Sequence, residues 1–137
     1  MLDHAGDLEE YCLMETFRPR CWKSEVIIVE EAIYGRRRVG KCMGSKEANR
    51  VQDPQYFGCF ANVLHIVGRK CSGRKECTIN IPDPDLEQTM PCLEGLKMFL
   101  EVRYSCVEGT FCNFCPQTWF CSLVLMLTEL CQIVNIL

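Results

Sequence analysis

Histidine is scarce in this sequence, and the motifs of common enzyme classes are missing. Only two histidines occur in 137 residues, His4 in an acidic stretch and His65 in an apolar one. A Cys–His catalytic pair therefore has little material, and the chain contains neither a glycine-rich phosphate loop nor a Ser-x-x-Lys motif. These absences predict a binding protein that has no catalytic residues, no cofactor and no metal site.

The N-terminal residues lack the features of a secretory signal. Residues 1–11 are acidic and polar, with neither a basic n-region nor an apolar h-region. No Asn-x-Ser/Thr sequon occurs, so N-glycosylation gives no support for secretion. We interpret residues 1–11 as an acidic tail, and we expect the chain to be a fragment or an isoform without its secretory start.

Basic residues are absent after Arg103. The last segment, residues 107–137, is largely apolar, and its part 119–137 has the length of a membrane span of about 20 residues. Glu129 lies inside that part, and a central acid costs about 2.5–3.5 kcal/mol on insertion scales. Two interpretations stay open for this segment: a weak membrane span, and an alternative C-terminus produced by splicing.

Cysteine, in contrast, is abundant. Twelve cysteines are present, and eight of them lie in the block from Cys12 to Cys106. Small extracellular modules use disulfides because their cores are too small to be stable alone, whereas intracellular thiols stay reduced. The block therefore predicts an extracellular or cell-surface protein, although spacing alone leaves about a hundred pairings open. Cys112 and Cys115 have the spacing of half a zinc knuckle, but without a second pair we expect structural or unpaired thiols.

Three segments are predicted to be strands. Residues 26–34 are rich in β-branched side chains and suit a buried strand, and residues 78–81 suit a short one. Residues 98–104 alternate, so that Leu100, Val102 and Tyr104 share one face of a strand and the acid and base between them share the other. We expect these strands to pair antiparallel.

The segments between these strands predict one or two helices and a long loop. Residues 43–58 contain several glycine, asparagine, aspartate and proline residues and are predicted to be a loop. Residues 59–67 place their apolar side chains at helical spacing. The fold class is therefore a small disulfide-rich α+β domain. Trp22 and Trp119 are interpreted as packing residues.

The basic residues are concentrated in two clusters. The block from Cys12 to Cys106 contains all fifteen lysines and arginines and twelve of the eighteen acids, which favours an anionic partner modestly. Guanidinium groups pair well with sulfate and carboxylate, so a sulfated glycosaminoglycan such as heparin or heparan sulfate is the predicted ligand, and nucleic acid is not expected. The candidate anion-binding residues are Arg36, Arg37, Arg38, Lys41, Arg69, Lys70, Arg74 and Lys75.

Several short motifs occur in a recognisable order. They are Ala32-Ile-Tyr-Gly-Arg36, Cys42, Cys71-x5-Cys77, Pro91-Cys92 and Tyr104-Ser-Cys106. Together they resemble the SUEL-type lectin domain, a family that binds galactose or rhamnose. Residues 15–22 and the arginine run look most like a lectin repeat of the Eva family, its C-type homologue in particular, membrane glycoproteins linked to axon guidance and heparin binding.

The resemblance implies a lectin domain over residues 12–106 with an acidic tail before it and the apolar segment 107–137 after it. It also implies four disulfides and a set of sugar-binding positions. The implied disulfides are Cys12–Cys42, Cys21–Cys106, Cys59–Cys92 and Cys71–Cys77, and the implied sugar-binding residues are Tyr34, Arg36, Gly95 and Lys97. Tyr34 would offer an aromatic wall to the sugar ring.

Two positions depart from the family pattern. Where sugar-binding members have a glutamate after the first cysteine, this chain has Leu13, and where they have an aspartate before Pro-Cys it has Met90. The family lysine corresponds to Lys97 or, counted back from Cys106, to Met98. The expected function is thus a carbohydrate-binding module for sulfated glycans or galactose- and rhamnose-type sugars. The alternative is a protein-interaction or receptor ectodomain module that has lost sugar binding.

Overall fold

The computed structural model describes residues 6–44 and 56–109 of the chain. Six strands and two helices follow one another in these residues. They are β1 Glu9–Tyr11, β2 Thr16–Phe17, β3 Glu25–Arg36, β4 Cys59–Asn62, α1 Leu64–Cys71, β5 Ile79–Asn80, α2 Pro84–Glu87 and β6 Phe99–Glu108. This is the predicted small antiparallel α+β domain with two short helices, and the fold class is confirmed.

The main sheet has the strand order β1-β6-β3-β4, and every neighbouring pair is antiparallel. β3 and β6 form its centre, and their register shifts between Val29 and Glu31. The shift is a β-bulge, and it rephases the strand so that Val29 and Tyr34 both point into the core. The predicted strand 26–34 lies within β3, and the predicted strand 98–104 overlaps β6 from Phe99 onward.

A second, smaller pairing lies beside the main sheet. β2 pairs with β5, and the pairing continues toward Arg20 and Glu76, which form an isolated bridge. The backbone N–H of Cys21 then donates to the carbonyl of Lys75 at 2.8 Å. We call residues 16–21 and 75–80 together the ribbon. Its inner residues Phe17 and Ile79 are fully buried.

The core lies between the main sheet, α1, α2 and the ribbon. Its members are almost all aliphatic or aromatic, as burial of apolar area requires. The largest of them are Phe17, Ile27, Tyr34, Val63, Val67, Ile79, Ile81, Leu86 and Leu100.

The helix predicted over residues 59–67 begins later than expected. Residues Cys59–Asn62 form β4, which pairs with the end of β3, and α1 starts at Leu64. A free edge of β3 satisfies the backbone groups of these residues, so the tertiary pairing overrides the helical periodicity. Gly35 permits the close approach, because a side chain there would collide with the backbone of Cys59 and Phe60.

Four disulfides connect these elements. They are Cys12–Cys42, Cys21–Cys106, Cys59–Cys92 and Cys71–Cys77, the same pairs that the lectin resemblance implies. Cys21–Cys106 joins the end of the ribbon to β6, and its two cysteines are 85 positions apart in the sequence. The cysteines of Cys71–Cys77 are six positions apart, and their disulfide holds the turn that follows α1.

Some predictions concern residues outside the described parts of the chain. They include most of the loop at residues 43–58, nearly all of the segment 107–137, and the four cysteines beyond Cys106. β6 itself continues past Cys106 to Glu108. None of the helices in residues 6–44 and 56–109 has the length and apolar character needed to cross a membrane.

We predict that the long-range disulfide contributes more to stability than the local one. Replacing Cys21 and Cys106 together by alanine should lower the free energy of unfolding by about 4–5 kcal/mol, because the loop that it closes spans 85 residues. Replacing Cys71 and Cys77, whose separation is six, should lower it by about 2 kcal/mol. Urea unfolding of both double variants measures the difference, and an equal or reversed order would contradict the loop-length explanation.

Candidate functional site

Arg36 is a structural residue rather than a ligand-binding one. It is only 2% exposed, and its Nε and Nη1 donate to the carbonyls of Tyr56 and Lys97, each at 2.9 Å. Its guanidinium also lies over the ring of Phe57, 5.4 Å from the centroid. The charge is therefore used to hold two loops together, and the predicted role of Arg36 at a sugar or anion site is not supported by its position.

The next two arginines converge on one buried carboxylate. Glu101 is 1% exposed, and Arg37 contacts both of its oxygens at 3.1 Å while the Nε of Arg38 donates to it at 2.8 Å. The sequence predicted Glu101 on the outer face of its strand, away from the core side. Glu101 is buried instead, because Arg37 and Arg38 lie over it and pair with its carboxylate. Two of the predicted anion-binding charges are thus partly neutralised.

Lys41 also has a partner within the domain. Its Nζ lies 3.2 Å from a carboxylate oxygen of Glu15 and 5.9 Å from the ring centroid of Tyr11. Glu15 in turn accepts the backbone N–H of Cys12 at 2.8 Å. The hydrogen bond from Cys12 and then the neighbouring Lys41 hold the pKa of the Glu15 carboxyl below its ordinary value. The first basic cluster is therefore largely an internal network of ion pairs.

In the second cluster, Lys70 is tied to the start of α2. Its Nζ lies 2.6 Å from an oxygen of Asp83 and 2.8 Å from one of Asp85. Partial burial lowers the pKa of the Lys70 ammonium, but the hydrogen bonds to the two carboxylates outweigh it and raise the pKa overall. Lys70 thus serves to join α1 to α2.

The other members of the second cluster face solvent. Arg69, Arg74 and Lys75 are exposed, and within residues 6–44 and 56–109 none of them forms an ion pair within 4.0 Å. Arg69 influences the nearby Asp85 electrostatically, and Arg74 and Lys75 lie in the turn closed by Cys71–Cys77. These three are the predicted anion-binding residues that remain available to a ligand.

The structure adds two arginines that belong to neither predicted cluster. Arg18 and Arg20 lie on the outer side of the ribbon and line a depression of about 440 Å³ together with Glu76, Cys77 and Thr78. Arg20 pairs with Glu76 at 2.9 Å, but their side chains are 78% and 61% exposed, so the pair is worth little. Arg18 and Arg20 lie two positions apart, so in an extended strand they share one side. This spacing could have predicted from the sequence that the two arginines act together.

We use the name basic ribbon for Arg18, Arg20, Arg74 and Lys75. The first two lie on one strand of the ribbon, and the other two lie at the end of the facing strand, where the Cys21 N–H bonds to the Lys75 carbonyl. A disulfide fixes each strand, Cys21–Cys106 on one side and Cys71–Cys77 on the other. The arrangement is a rigid backbone that carries four exposed cationic side chains.

Tyr34 does not form the predicted aromatic wall. It is 1% exposed, its ring belongs to the core, and its hydroxyl donates to a carboxylate oxygen of Glu87. Burial and then this hydrogen bond raise the pKa of the Tyr34 phenol. The side chain faces inward because the bulge in β3 directs it there, so the tyrosine of the motif is a core residue here.

Leu13 and Lys97, two positions that the resemblance relates to sugar binding, do come together. They line a depression of about 330 Å³ beside the Cys12–Cys42 disulfide, which we call the first-disulfide depression; its other lining residues are Cys12, Met14, Cys42, Met98 and Phe99. Among the described residues that line it, none carries a carboxylate and Lys97 supplies the only charge. Met98 lies here as well, so both candidates for the family lysine position are at the same place.

The remaining predicted positions lie elsewhere. Gly95 is exposed in a turn with φ of +87°, and it does not line the first-disulfide depression among the residues described there. Met90 is 77% exposed and follows α2. The family aspartate position is therefore occupied here by an exposed apolar side chain.

Trp22 is exposed rather than packed. Its exposed fraction is 75%, and it lines a depression of about 400 Å³ next to the Cys21–Cys106 disulfide. The interpretation of Trp22 as a packing residue is therefore wrong. Trp22 directly follows the ribbon, and its neighbour Cys21 is the residue directed to β6 by its disulfide.

We predict that Glu15 stabilises the loop around the first disulfide only above acidic pH. Because its folded-state pKa is lowered, its contribution is present above its ordinary value of about 4.5 and is lost as the pH falls through the folded-state pKa. Glu15→Gln should thus lower the urea midpoint at pH 7, and the difference from the parent should shrink toward pH 3. Glu94→Gln, an exposed glutamate, is the control. A difference that stays constant with pH would contradict this role.

Comparison with known proteins gives a consistent picture. The model of the family described as the D-galactoside/L-rhamnose binding SUEL lectin domain matches residues 19–106. The chain is 31% identical over 97 residues to the chimpanzee protein eva-1 homolog C and 30% identical to the human one; both alignments cover 70% of this chain and 21% of the relative. It is 30% identical over 99 residues to the mouse adhesion G protein-coupled receptor L1, covering 72% of this chain and 6% of that protein.

Proposed function

The chain belongs to the D-galactoside/L-rhamnose binding SUEL lectin family, and from that premise we propose that its domain is a carbohydrate-binding module whose ligand is a sulfated glycan. The observation that carries the choice of ligand is the basic ribbon. Arg18, Arg74 and Lys75 have no ion pair among the described residues, and the exposed Arg20–Glu76 pair is easily exchanged for a stronger anion.

The spacing of the basic ribbon suits an extended anionic chain. Residues on one side of a strand repeat at about 6–7 Å, so Arg18 and Arg20 present two guanidinium groups to successive groups of a ligand. Each guanidinium can form two parallel hydrogen bonds with a sulfate or a carboxylate. Disulfides at both strands preorganise the backbone, which lowers the entropy that binding costs.

The first-disulfide depression is a poorer site for a neutral sugar. Sugar hydroxyls must exchange hydrogen bonds with water for hydrogen bonds with the protein, and this exchange needs several convergent polar groups. Leu13 and Met98 provide none, and Tyr34 is buried away from the surface.

Four disulfides and the kinship with eva-1 homologues and an adhesion receptor indicate an extracellular or cell-surface setting. The chain spans about a fifth of the length of the eva-1 relatives that it matches. We propose that the domain acts as one ligand-binding part of a larger cell-surface protein, where a glycan on a neighbouring cell or in the matrix is within reach.

A protein-interaction role is the second candidate, and one observation favours it. Leu13 and Met14 are 41% and 84% exposed, and they border the first-disulfide depression. Exposed apolar side chains around a concave surface are typical of a site for a protein partner. A receptor protein that inserts an apolar side chain there would make this chain an interaction module.

We predict that removing charge from the ribbon weakens heparin binding more than removing it elsewhere. The double variant Arg18→Gln, Arg20→Gln should elute from a heparin column at a clearly lower salt concentration than the parent. It lacks two guanidinium groups that pair with sulfate, so less salt is needed to screen the ion pairs that remain. The matched control is Lys41→Gln with Lys97→Gln, which changes the net charge equally but lies outside the ribbon. The control should elute close to the parent.

Two results would contradict the proposal. If the oxidised parent chain does not bind the heparin column at physiological salt, the sulfated-glycan ligand is wrong. If both double variants shift elution equally, the domain binds through net charge and the ribbon is not the site. In either case, binding of an isolated receptor ectodomain that is lost in Leu13→Asp would favour the protein-interaction role.

A further inference from the structure

Trp22 and the depression beside it form a third concave surface, which shares only Arg20 with the basic ribbon. The depression is about 400 Å³, within the range of small-molecule sites. It is lined by Trp22, by the carboxylates of Asp7, Glu9 and Glu25, by Arg20 and by Tyr104. We propose that it binds a neutral hexopyranose ring, stacked on the indole of Trp22, so that carbohydrate binding uses a subsite away from the family position. The proposal rests on the carbohydrate-binding function proposed above.

The backbone that carries the indole is held by a disulfide and two hydrogen bonds. Trp22 follows Cys21, whose disulfide to Cys106 ties it to β6. The backbone N–H of Trp22 donates to a carboxylate oxygen of Glu25 at 3.3 Å, and the N–H of Glu25 donates back to the carbonyl of Trp22 at 3.0 Å. These reciprocal bonds fix the turn, so a ligand does not have to order it on binding. Trp22 is 75% exposed, and contact of its apolar ring with water is unfavourable. A sugar ring stacked on the indole would remove part of that contact.

The polar groups around the indole match hydroxyls. Each sugar hydroxyl both donates and accepts, and ionised carboxylates only accept. Among the residues that the structure describes, no cation pairs with Asp7, Glu9 or Glu25, and Glu25 uses one oxygen for Trp22 while Glu9 uses one for the hydroxyl of Tyr11. The free oxygens can accept from the ligand, and Arg20 at the rim can donate to it.

The sign of the charge separates this depression from the ribbon. Three carboxylates repel a sulfate or a uronate, so the ligand group here is uncharged, unlike the group proposed for the ribbon. Arg20 offsets only one of the three carboxylates, so a neutral ring is favoured over a cation by stacking on Trp22 and by hydrogen bonds to both the carboxylates and Arg20 rather than by charge. The family description names two neutral sugars, a D-galactoside and L-rhamnose, and these are the natural probes.

The test follows the fluorescence of Trp22 alone. The chain has two tryptophans, so Trp119→Phe leaves Trp22 as its only indole. Methyl β-D-galactoside and L-rhamnose are titrated into this oxidised full-length variant at low salt and at 0.5 M sodium chloride. At the higher salt concentration the Debye length is about 4 Å, so binding that depends on charge would weaken. We expect a saturable change of the emission with at least one of the two sugars, at nearly the same dissociation constant in both buffers.

Substitutions locate the site independently of fluorescence, by calorimetric titration of the same sugar. Trp22→Ala should weaken binding about fivefold or more, as expected for loss of an aromatic platform, and Asp7→Asn should weaken it about threefold, as expected for loss of a charged acceptor. Asp7 has no hydrogen bond within the described domain, so its loss leaves the fold intact. Phe60→Ala removes another exposed aromatic side chain, 49% exposed and outside the depression, and should bind like the parent.

The outcomes distinguish this inference from the sulfated-glycan proposal. The inference is overturned if neither sugar changes the emission up to 50 mM, about fiftyfold above a millimolar dissociation constant, or if Trp22→Ala and Asp7→Asn bind like the parent. It is also overturned if Leu13→Asp abolishes sugar binding while Trp22→Ala does not, since the sugar would then occupy the first-disulfide depression. Retention of the parent on a heparin column is measured with the same preparation. It tests the sulfated-glycan proposal independently of the sugar titration.

Discussion

The disulfide Cys21–Cys106 is the constraint on which both proposed surfaces depend. It joins the end of the ribbon to the centre of the main sheet, across 85 residues of sequence. Without it, the strand that carries Arg18 and Arg20 has a short pairing with β5, one bridge to Glu76 and the Cys21–Lys75 backbone hydrogen bond, and two-stranded pairings are marginal alone. The same bond fixes the residue before Trp22. A single cross-link therefore positions the cationic side chains of one surface and the indole of the other.

Charge in this domain is divided between structure and surface in a way that counting charges does not reveal. Arg36, Arg37 and Arg38 look like one anion-binding run, yet the first holds two loops by their carbonyls and the other two share the buried Glu101. A buried carboxylate needs such partners, because its desolvation is costly when it is unpaired. Arg37 and Arg38 are therefore not free to bind an anionic ligand, although their acidic partner Glu101 lies more than sixty residues away in the sequence. The cations that can bind a ligand are those without a buried acidic partner.

The sequence predicted the fold class, but it did not predict where several side chains lie, for physical reasons that particular residues make clear. β3 and β6 were predictable because β-branched residues and alternation act locally, and the disulfide pairs follow from the order of the cysteines in the family. The strand Cys59–Asn62 was not, since its state depends on the free edge of β3. Tyr34 was placed at the surface by the motif, but the bulge between Val29 and Glu31 turns it inward. A one-residue change of register cannot be read from composition, and it decides which face every later side chain occupies.

Arg20 lies where the two proposed surfaces meet, because it lines both the ribbon depression and the Trp22 depression. Its bond to Glu76 is exposed and therefore weak, so the guanidinium can turn toward either surface at little cost. An anion on the ribbon would hold it on the basic side, away from the three carboxylates around Trp22. A neutral ring on Trp22 would instead recruit it as a hydrogen-bond donor. Two ligand groups that compete for one guanidinium are coupled, and any coupling free energy between them is reciprocal. An oligosaccharide with a sulfated unit next to a neutral one would therefore engage the two surfaces together only if its sulfate were satisfied by Arg18, Arg74 or Lys75, leaving Arg20 to the neutral ring.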